Sequence, residues 1–344
     1  MKTVLGGLIV ALAGLSMGGG VWTLKALKKM RFEHWLFLGM LVGLIVLPWS
    51  VTLLFCPGAI GALRSVPASA LIKANLFACG WGIANVLCVV CFVRIGVALT
   101  GGILGGLGLS LGVVVPMVFK ASGLFSRAPD ATSPAGLVVL VGVAIMLAGV
   151  VLVSLAGFGR DRMLSNLQSG SNRFSTNLFL AVLAGILSTG PNFAFAYSQE
   201  PIVNALKSRG AGDIPAIFAV WAVGMFSGAV INLVYTAFLI TRDHSWGVFR
   251  HAGKELVFGC IFGMQFCGAI ALLGLGNLTL GALGASVGWG VYQAMQILGN
   301  QGVGFLSGEW AGVSGKPKRQ MYVAIGILLI AALVVAYGNS LVQV

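Results

Sequence analysis

Between Thr279 and Trp310 the chain runs apolar, yet it carries Trp289, Tyr292, Gln293, Gln296, Asn300 and Gln301 and no charged residue until Glu309. Read as a helix, the segment sets Trp289, Gln293, Gln296 and Asn300 at steps of four, three and four, which is one face. Carboxamides donate and accept hydrogen bonds together, and an indole ring covers a flat C–H surface, so this stripe suits a neutral, hydroxyl-rich ligand. The same amides also tie membrane helices to one another. On the stripe alone both readings stand.

Other polar groups sit inside apolar stretches. Trp81 and Asn85 are four apart, hence on one helix face, and Gln265 falls in the stretch that would correspond to theirs in a second half of the chain. Ser188 and Asn192 share the same spacing beside Pro191, which removes a backbone hydrogen bond and loosens a helix next to a cavity. Trp221 and Asn232 lie further on. Singly, each is ordinary helix packing; together they predict a wet central cavity lined by neutral hydrogen-bonding groups. The eight acidic residues all avoid the middle of an apolar stretch. Glu200 and Glu309 come nearest and are the candidates for carrying a coupled proton, against the alternative of carboxylates resting in interfacial water. No Ser-His-Asp set, H-E-x-x-H or buried acid pair is present, so the chain is not expected to be an enzyme.

The elements that must hold these groups follow from composition. With 58% hydrophobic and 8% charged residues and a mean hydropathy of +1.00, the chain departs from soluble domains, in which about 25% of residues are charged. It reads as an all-α integral membrane protein. At about 20 apolar residues per crossing, ten transmembrane helices are expected, over roughly 3–24, 35–55, 71–92, 95–119, 135–156, 177–197, 215–240, 255–275, 279–306 and 321–340. The longest polar connections are Lys120 to Pro134 and Phe158 to Thr176, and nothing is left over for a soluble domain. The first apolar run is followed by four basic residues and is expected to be a retained helix, not a signal peptide.

The net charge of +13 is scattered over loops and not gathered on a face, which argues against nucleic acid. Lys25, Lys28, Lys29, Arg31, Arg94, Arg160, Arg162, Arg173, Arg242, Arg250, Lys254, Lys316, Lys318 and Arg319 all follow odd-numbered spans and make up 14 of the 21 Lys and Arg. The positive-inside rule then puts those loops in the cytoplasm and both termini outside. The six cysteines lie mainly within spans as packing residues. Cys88 and Cys91 form a C-x-x-C, but His34, His244 and His251 are expected in loops, so neither a metal nor a cofactor is expected. Nothing in the sequence points to an oligomeric state.

The chain also resembles itself. Phe77, Cys79, Gly82 and Leu99 recur without a gap as Phe258, Cys260, Gly263 and Leu280, at an offset of 181. Five helices therefore repeat, residues 1–160 against 161–344, and an odd number of crossings turns the second copy over. Two inverted five-helix repeats are the architecture of many secondary transporters, with the substrate between the halves near the midplane. Gly101 and Gly105, and Gly108 and Gly112, keep the four-residue spacing that lets helix backbones approach.

Several short motifs carry a resemblance. They are Leu47-Pro48-Trp49, Trp81-Gly82-Ile83-Ala84-Asn85, Gly228-Ala229-Val230-Ile231-Asn232-Leu233 and Glu309-Trp310, together with the cluster Leu24-Lys25-Ala26-Leu27-Lys28-Lys29. In these, and in length, the chain resembles the bacterial L-rhamnose-proton symporter family of the drug/metabolite transporter superfamily. The resemblance implies a ten-helix bundle of two inverted repeats that imports a deoxy-hexose with protons across the bacterial cytoplasmic, or inner, membrane. The expectation is a secondary transporter of a small neutral sugar, with Trp289, Gln293, Gln296, Asn300, Trp81, Asn85, Asn192 and Gln265 as its binding shell. Its rivals are a drug or metabolite exporter and a non-transporting membrane scaffold.

Overall fold

The structure is a computed structural model and describes residues 2–95, 97–118, 128–164, 174–280 and 287–341. Arg173, parts of both long polar connections and residues 281–286 of the expected ninth span lie outside the described residues. In hydrocarbon every backbone N–H and C=O must be satisfied within the chain, which leaves the helix as the natural solution for long apolar runs. Among the described residues there is no strand.

The helices are α1 (Lys2–Gly19), α2 (Trp22–Lys25), α3 (Phe32–Met40), α4 (Leu47–Phe55), α5 (Ala59–Arg64), α6 (Ala68–Ile95), α7 (Val97–Val118) and α8 (Pro134–Met163). They continue as α9 (Phe174–Leu187), α10 (Gly190–Lys207), α11 (Asp213–Gly224), α12 (Phe226–Arg242), α13 (Val248–His251), α14 (Lys254–Leu280), α15 (Trp289–Leu306) and α16 (Lys316–Ser340). Among the described residues, eight helices are long and apolar enough to cross a membrane, or up to nine if the bent pair α11 and α12 is one span. The 18-residue α15 is not among them. Its amides make it too polar.

Three expected spans are broken, and each break is repaired by a nearby side chain. α1 passes to α2 through Gly20 and Val21, where Thr23 Oγ1 donates to Gly20 O at 2.9 Å. α9 passes to α10 at Ser188 and Thr189, just ahead of Pro191; their hydroxyls donate to Gly185 O at 2.6 Å and Ile186 O at 2.8 Å. The third differs from the straight span expected over 215–240: α11 and α12 meet at 56° at Met225. Asn75 of α6 bridges this bend. Its Nδ2 donates to Val223 O at 2.9 Å, its Oδ1 accepts from Ser227 N at 3.0 Å, and Ser227 Oγ donates back to Asn75 O at 2.6 Å. In the second span a π-helical turn, Leu41–Val46, precedes Pro48. Proline has no N–H to give the preceding turn, so the ladder widens there.

Small residues set the packing. Any Cβ on Gly14 or Gly18 of α1 would strike the backbone of α15 at Tyr292 or Gln296, so these two helices touch main chain to main chain. A Cβ on Gly82 of α6 would stand 3.1 Å from Gly228 O and 2.9 Å from Ile231 Cβ. On Gly263 of α14 it would stand 3.0 Å from Gly39 O and 2.7 Å from Val42 Cβ. α8 and α16 pair along their length, away from this centre.

One end of the bundle is tied by polar contacts. Glu309, just beyond α15, pairs with Lys25 of α2 and, at 2.9 Å, with Arg160 of α8. Glu255 of α14 accepts from the backbone N–H groups of Lys29 at 3.0 Å and Met30 at 2.8 Å. His34 is not in a loop, as the sequence led us to expect, but is fully buried in α3, with Nε2 3.1 Å from Ser245 O beyond α12. His251 likewise closes the short helix α13. Glu200 falls inside α10, which runs ten residues past the span end expected at 197.

Candidate functional site

Where the broken helices meet α14 and α15 they enclose a cavity of about 380 Å³, within the range of about 300–1,000 Å³ common for small-molecule sites. Val21 at the first break, Ser188 and Pro191 at the second, and Trp221 and Met225 at the third all line it. α15 supplies Trp289, Tyr292, Gln293, Gln296, Ile297 and Asn300; α6 adds Trp81 and Asn85.

The cavity has a mouth and a floor. Asn300 and Gly101, both exposed, lie toward the end where Lys25, Arg160 and Glu309 meet. In the other direction the lining stops at Leu44, Trp221, Leu273 and Trp289, and the next turns, marked by Ile217, Leu280 and Val287, are packed core. The walls are rich in rings. Trp35 stacks on Phe262 with centroids 3.9 Å apart, its indole N–H donating to Thr23 Oγ1 at 2.8 Å. Trp81 lies 6.5 Å from Phe266.

Six of the eight residues expected in the binding shell line this cavity: Trp289, Gln293, Gln296, Asn300, Trp81 and Asn85. The other two do not. Asn192 is buried, with Nδ2 donating to Gly112 O of α7 at 2.9 Å, and Gln265 bridges α14 to α1, donating to Ser16 O at 2.7 Å and accepting from Trp22 Nε1 at 3.3 Å. Both serve the alternative role open to membrane amides, tying helix to helix. Among the six, Trp289 donates its indole N–H to Gly108 O at 3.0 Å, and Asn85 Nδ2 donates to Asn232 Oδ1 at 3.2 Å.

Gln293, Gln296 and Asn300 differ from all of these. Their side chains make no hydrogen bond to any described residue. Three consecutive amides without protein partners, on one face of a helix inside an apolar bundle, are costly unless water or a ligand satisfies them. Among the described residues no Asp, Glu, His, Lys or Arg lines the cavity. Glu200 and Glu309 both lie off it; Glu309 sits beside the mouth between Lys25 and Arg160, whose guanidinium lies 5.5 Å from the Trp310 ring. The sequence reading missed Trp35, Met40, Leu44, Phe262 and Ile270. These carry no signal of their own, because a large apolar residue in a membrane helix faces lipid, core or cavity equally well.

Apolar helices, broken where they surround a chamber of neutral hydrogen-bonding groups, define a multi-pass membrane transport protein. The chain belongs to the L-rhamnose-proton symport protein family, whose model matches residues 2–341. The family is one of transporters, not enzymes. Among similar proteins, the L-rhamnose-proton symporter of Yersinia pestis (strain Pestoides F) is 26% identical over 323 residues, covering 92% of each chain. The L-rhamnose-proton symporter of Pectobacterium atrosepticum is 26% identical over 325 residues, again 92% of each.

Proposed function

We propose that this protein carries a small neutral sugar, L-rhamnose or a related deoxy-sugar, across the bacterial cytoplasmic membrane with protons, by alternating access. The observation that carries the reading is the set Gln293, Gln296 and Asn300: unpartnered amides on one face, in a chamber walled by Trp35, Trp81 and Trp289. Amides read hydroxyls and rings cover C–H faces. The similar proteins are L-rhamnose-proton symporters, which name the same substrate and the same ion.

The proposed frame is ten crossings in two inverted repeats, residues 1–160 and 161–344, with α11 and α12 together as the seventh crossing and α15 as the ninth. Two contact sets support it. Gly82 meets Gly228 and Ile231 as Gly263 meets Gly39 and Val42, and Gly82 and Gly263 are 181 apart. Trp289 and Gly108 are also 181 apart and bond to each other, which fits counterparts lying close to an axis between the halves. With the basic loops in the cytoplasm and both termini outside, the mouth opens inward.

For the proton, Glu309 is preferred over Glu200. It ties the ends of α2 and α8 to α15, the helix that bears the amides, so protonating it releases α15 from two cations at once. The test is the melting temperature of the purified protein against a panel of monosaccharides and deoxy-sugars, since a ligand that prefers the folded state raises it. A rise with L-rhamnose is expected. Losing one desolvated hydrogen bond costs about 1–3 kcal/mol, so Gln293→Ala or Gln296→Ala should weaken binding roughly 5- to 150-fold. Wild-type affinity in both variants would overturn the assignment; no response to any sugar by the folded protein would favour an exporter, and no saturable ligand of any kind a scaffold.

A further inference from the structure

We infer that Gln199 and Asn277 are the residues that let the closed end of the molecule open: each is buried at a cost while that end is shut and meets water once it has parted. The inference rests on the transport reading above and concerns side chains that lie outside the cavity. Beyond the floor, Gly274 brings α14 hard against α10 and α11. A Cβ on it would stand 2.6 Å from Ile217 Cγ2, 3.2 Å from Phe195 Cε2 and 3.3 Å from Trp221 Nε1. This seam has to part before solvent on the far side can reach the cavity.

Gln199 lies one turn beyond Phe195 on α10, and Asn277 lies about one turn beyond Gly274 on α14. Gln199 is 1% exposed and Asn277 3%, yet the side-chain oxygen of each accepts no hydrogen bond among the described residues. The buried indole N–H of Trp221, in the same seam, gives none either. Amides that tie helices in this protein use both ends. Asn232 donates to Gly228 O at 2.8 Å and accepts from Asn85 at 3.2 Å, and Gln265 donates to Ser16 O and accepts from Trp22. Gln199 and Asn277 have no such tie to lose when the seam opens. A polar group buried without a partner disfavours the form that buries it, and water relieves it in the other form. Each stranded amide therefore shifts the balance toward the parted form by roughly 5- to 150-fold. A seam of hydrocarbon alone would stay shut, whereas two such amides bring the shut and parted forms close enough to exchange. Neither amide titrates, so this bias is independent of the proton, whose candidate carrier Glu309 lies at the opposite end.

The experiment uses the full-length protein with its six native cysteines replaced. Ile217→Cys sets a reporter thiol in the seam, and Asn300→Cys, in a separate protein, sets one at the mouth. Each is treated with a membrane-impermeant maleimide from either face of the membrane. The Ile217→Cys thiol should react slowly, and only from the face opposite the one that reaches Asn300→Cys. Adding Gln199→Met or Asn277→Leu, close in size and without the amide, should slow that reaction at least about 5-fold. Each should also slow L-rhamnose exchange across proteoliposomes and leave the melting temperature level or raised. Loss of folding in both variants, or a lowered melting temperature in both, would make the amides structural ties and overturn the inference. Unchanged or faster reaction of the thiol in the folded variants would overturn it as well, and so would a protein that exchanges L-rhamnose while its Ile217→Cys thiol stays unreactive from both faces; all of these leave transport standing. A folded protein that exchanges no L-rhamnose and whose seam never reacts would overturn both readings.

Discussion

Trp289 lines the cavity with its one polar group already engaged. Its indole N–H is committed to Gly108 O, so its ring and not its N–H is left for a ligand. Trp289→Phe keeps a ring and removes the N–H that Gly108 O accepts. It should lower stability by about 1–3 kcal/mol, measured by denaturation in detergent, with a smaller effect on sugar affinity than Gln293→Ala. Glu309→Gln keeps shape and removes the charge that holds Lys25 and Arg160. If Glu309 carries the proton, sugar exchange across proteoliposomes should persist while concentrative uptake driven by a pH gradient is lost; intact uptake would remove Glu309 from the mechanism. At this scale much was legible in the sequence. Gln293, Gln296 and Asn300 stand out because an amide stripe in an apolar helix needs a partner. Asn192 and Gln265 carry the same signal for the opposite reason, because their partners, Gly112 O and Ser16 O, are carbonyls on distant helices that no local pattern reveals.

The elements matter chiefly for where they stop. The break before α10 was foreshadowed by Pro191, whereas the 56° bend between α11 and α12 contains no proline. What holds that bend is Asn75, about 150 residues away in sequence, so no window along the seventh span could have shown it. Asn75→Leu strands Val223 O and Ser227 N together and should cost about 1–3 kcal/mol or more. It should also weaken the sugar-induced rise in melting temperature, since the bend delivers Trp221 and Met225 to the cavity; an unaltered response would show that the bend survives without its clamp. Gly18 acts at the other wall. Its replacement by Val would push α1 off the backbone of α15 at Gln296 and is expected to abolish binding along with tight packing.

For the molecule as a whole, composition alone fixed the membrane class, since 8% charged residues cannot clothe a soluble surface. The offset of 181 was visible in the sequence as four identities. Access to the cavity is testable from outside. With the six native cysteines replaced, a thiol introduced by Asn300→Cys should react with a membrane-impermeant reagent in inside-out vesicles and not in right-side-out ones; the reverse pattern would invert the orientation proposed here. The polarity of α15 reaches beyond transport into the making of the protein. A segment less apolar than its neighbours is held in lipid less firmly by its own side chains. It enters the bilayer dependent on others, on α1 through the Gly14 and Gly18 contacts and on α7 through Gly108, both synthesised long before it. The helix that brings three amides to the cavity is thus the one whose insertion leans on the rest, and newly made chains should be cleared by membrane quality control first when those early helices are damaged.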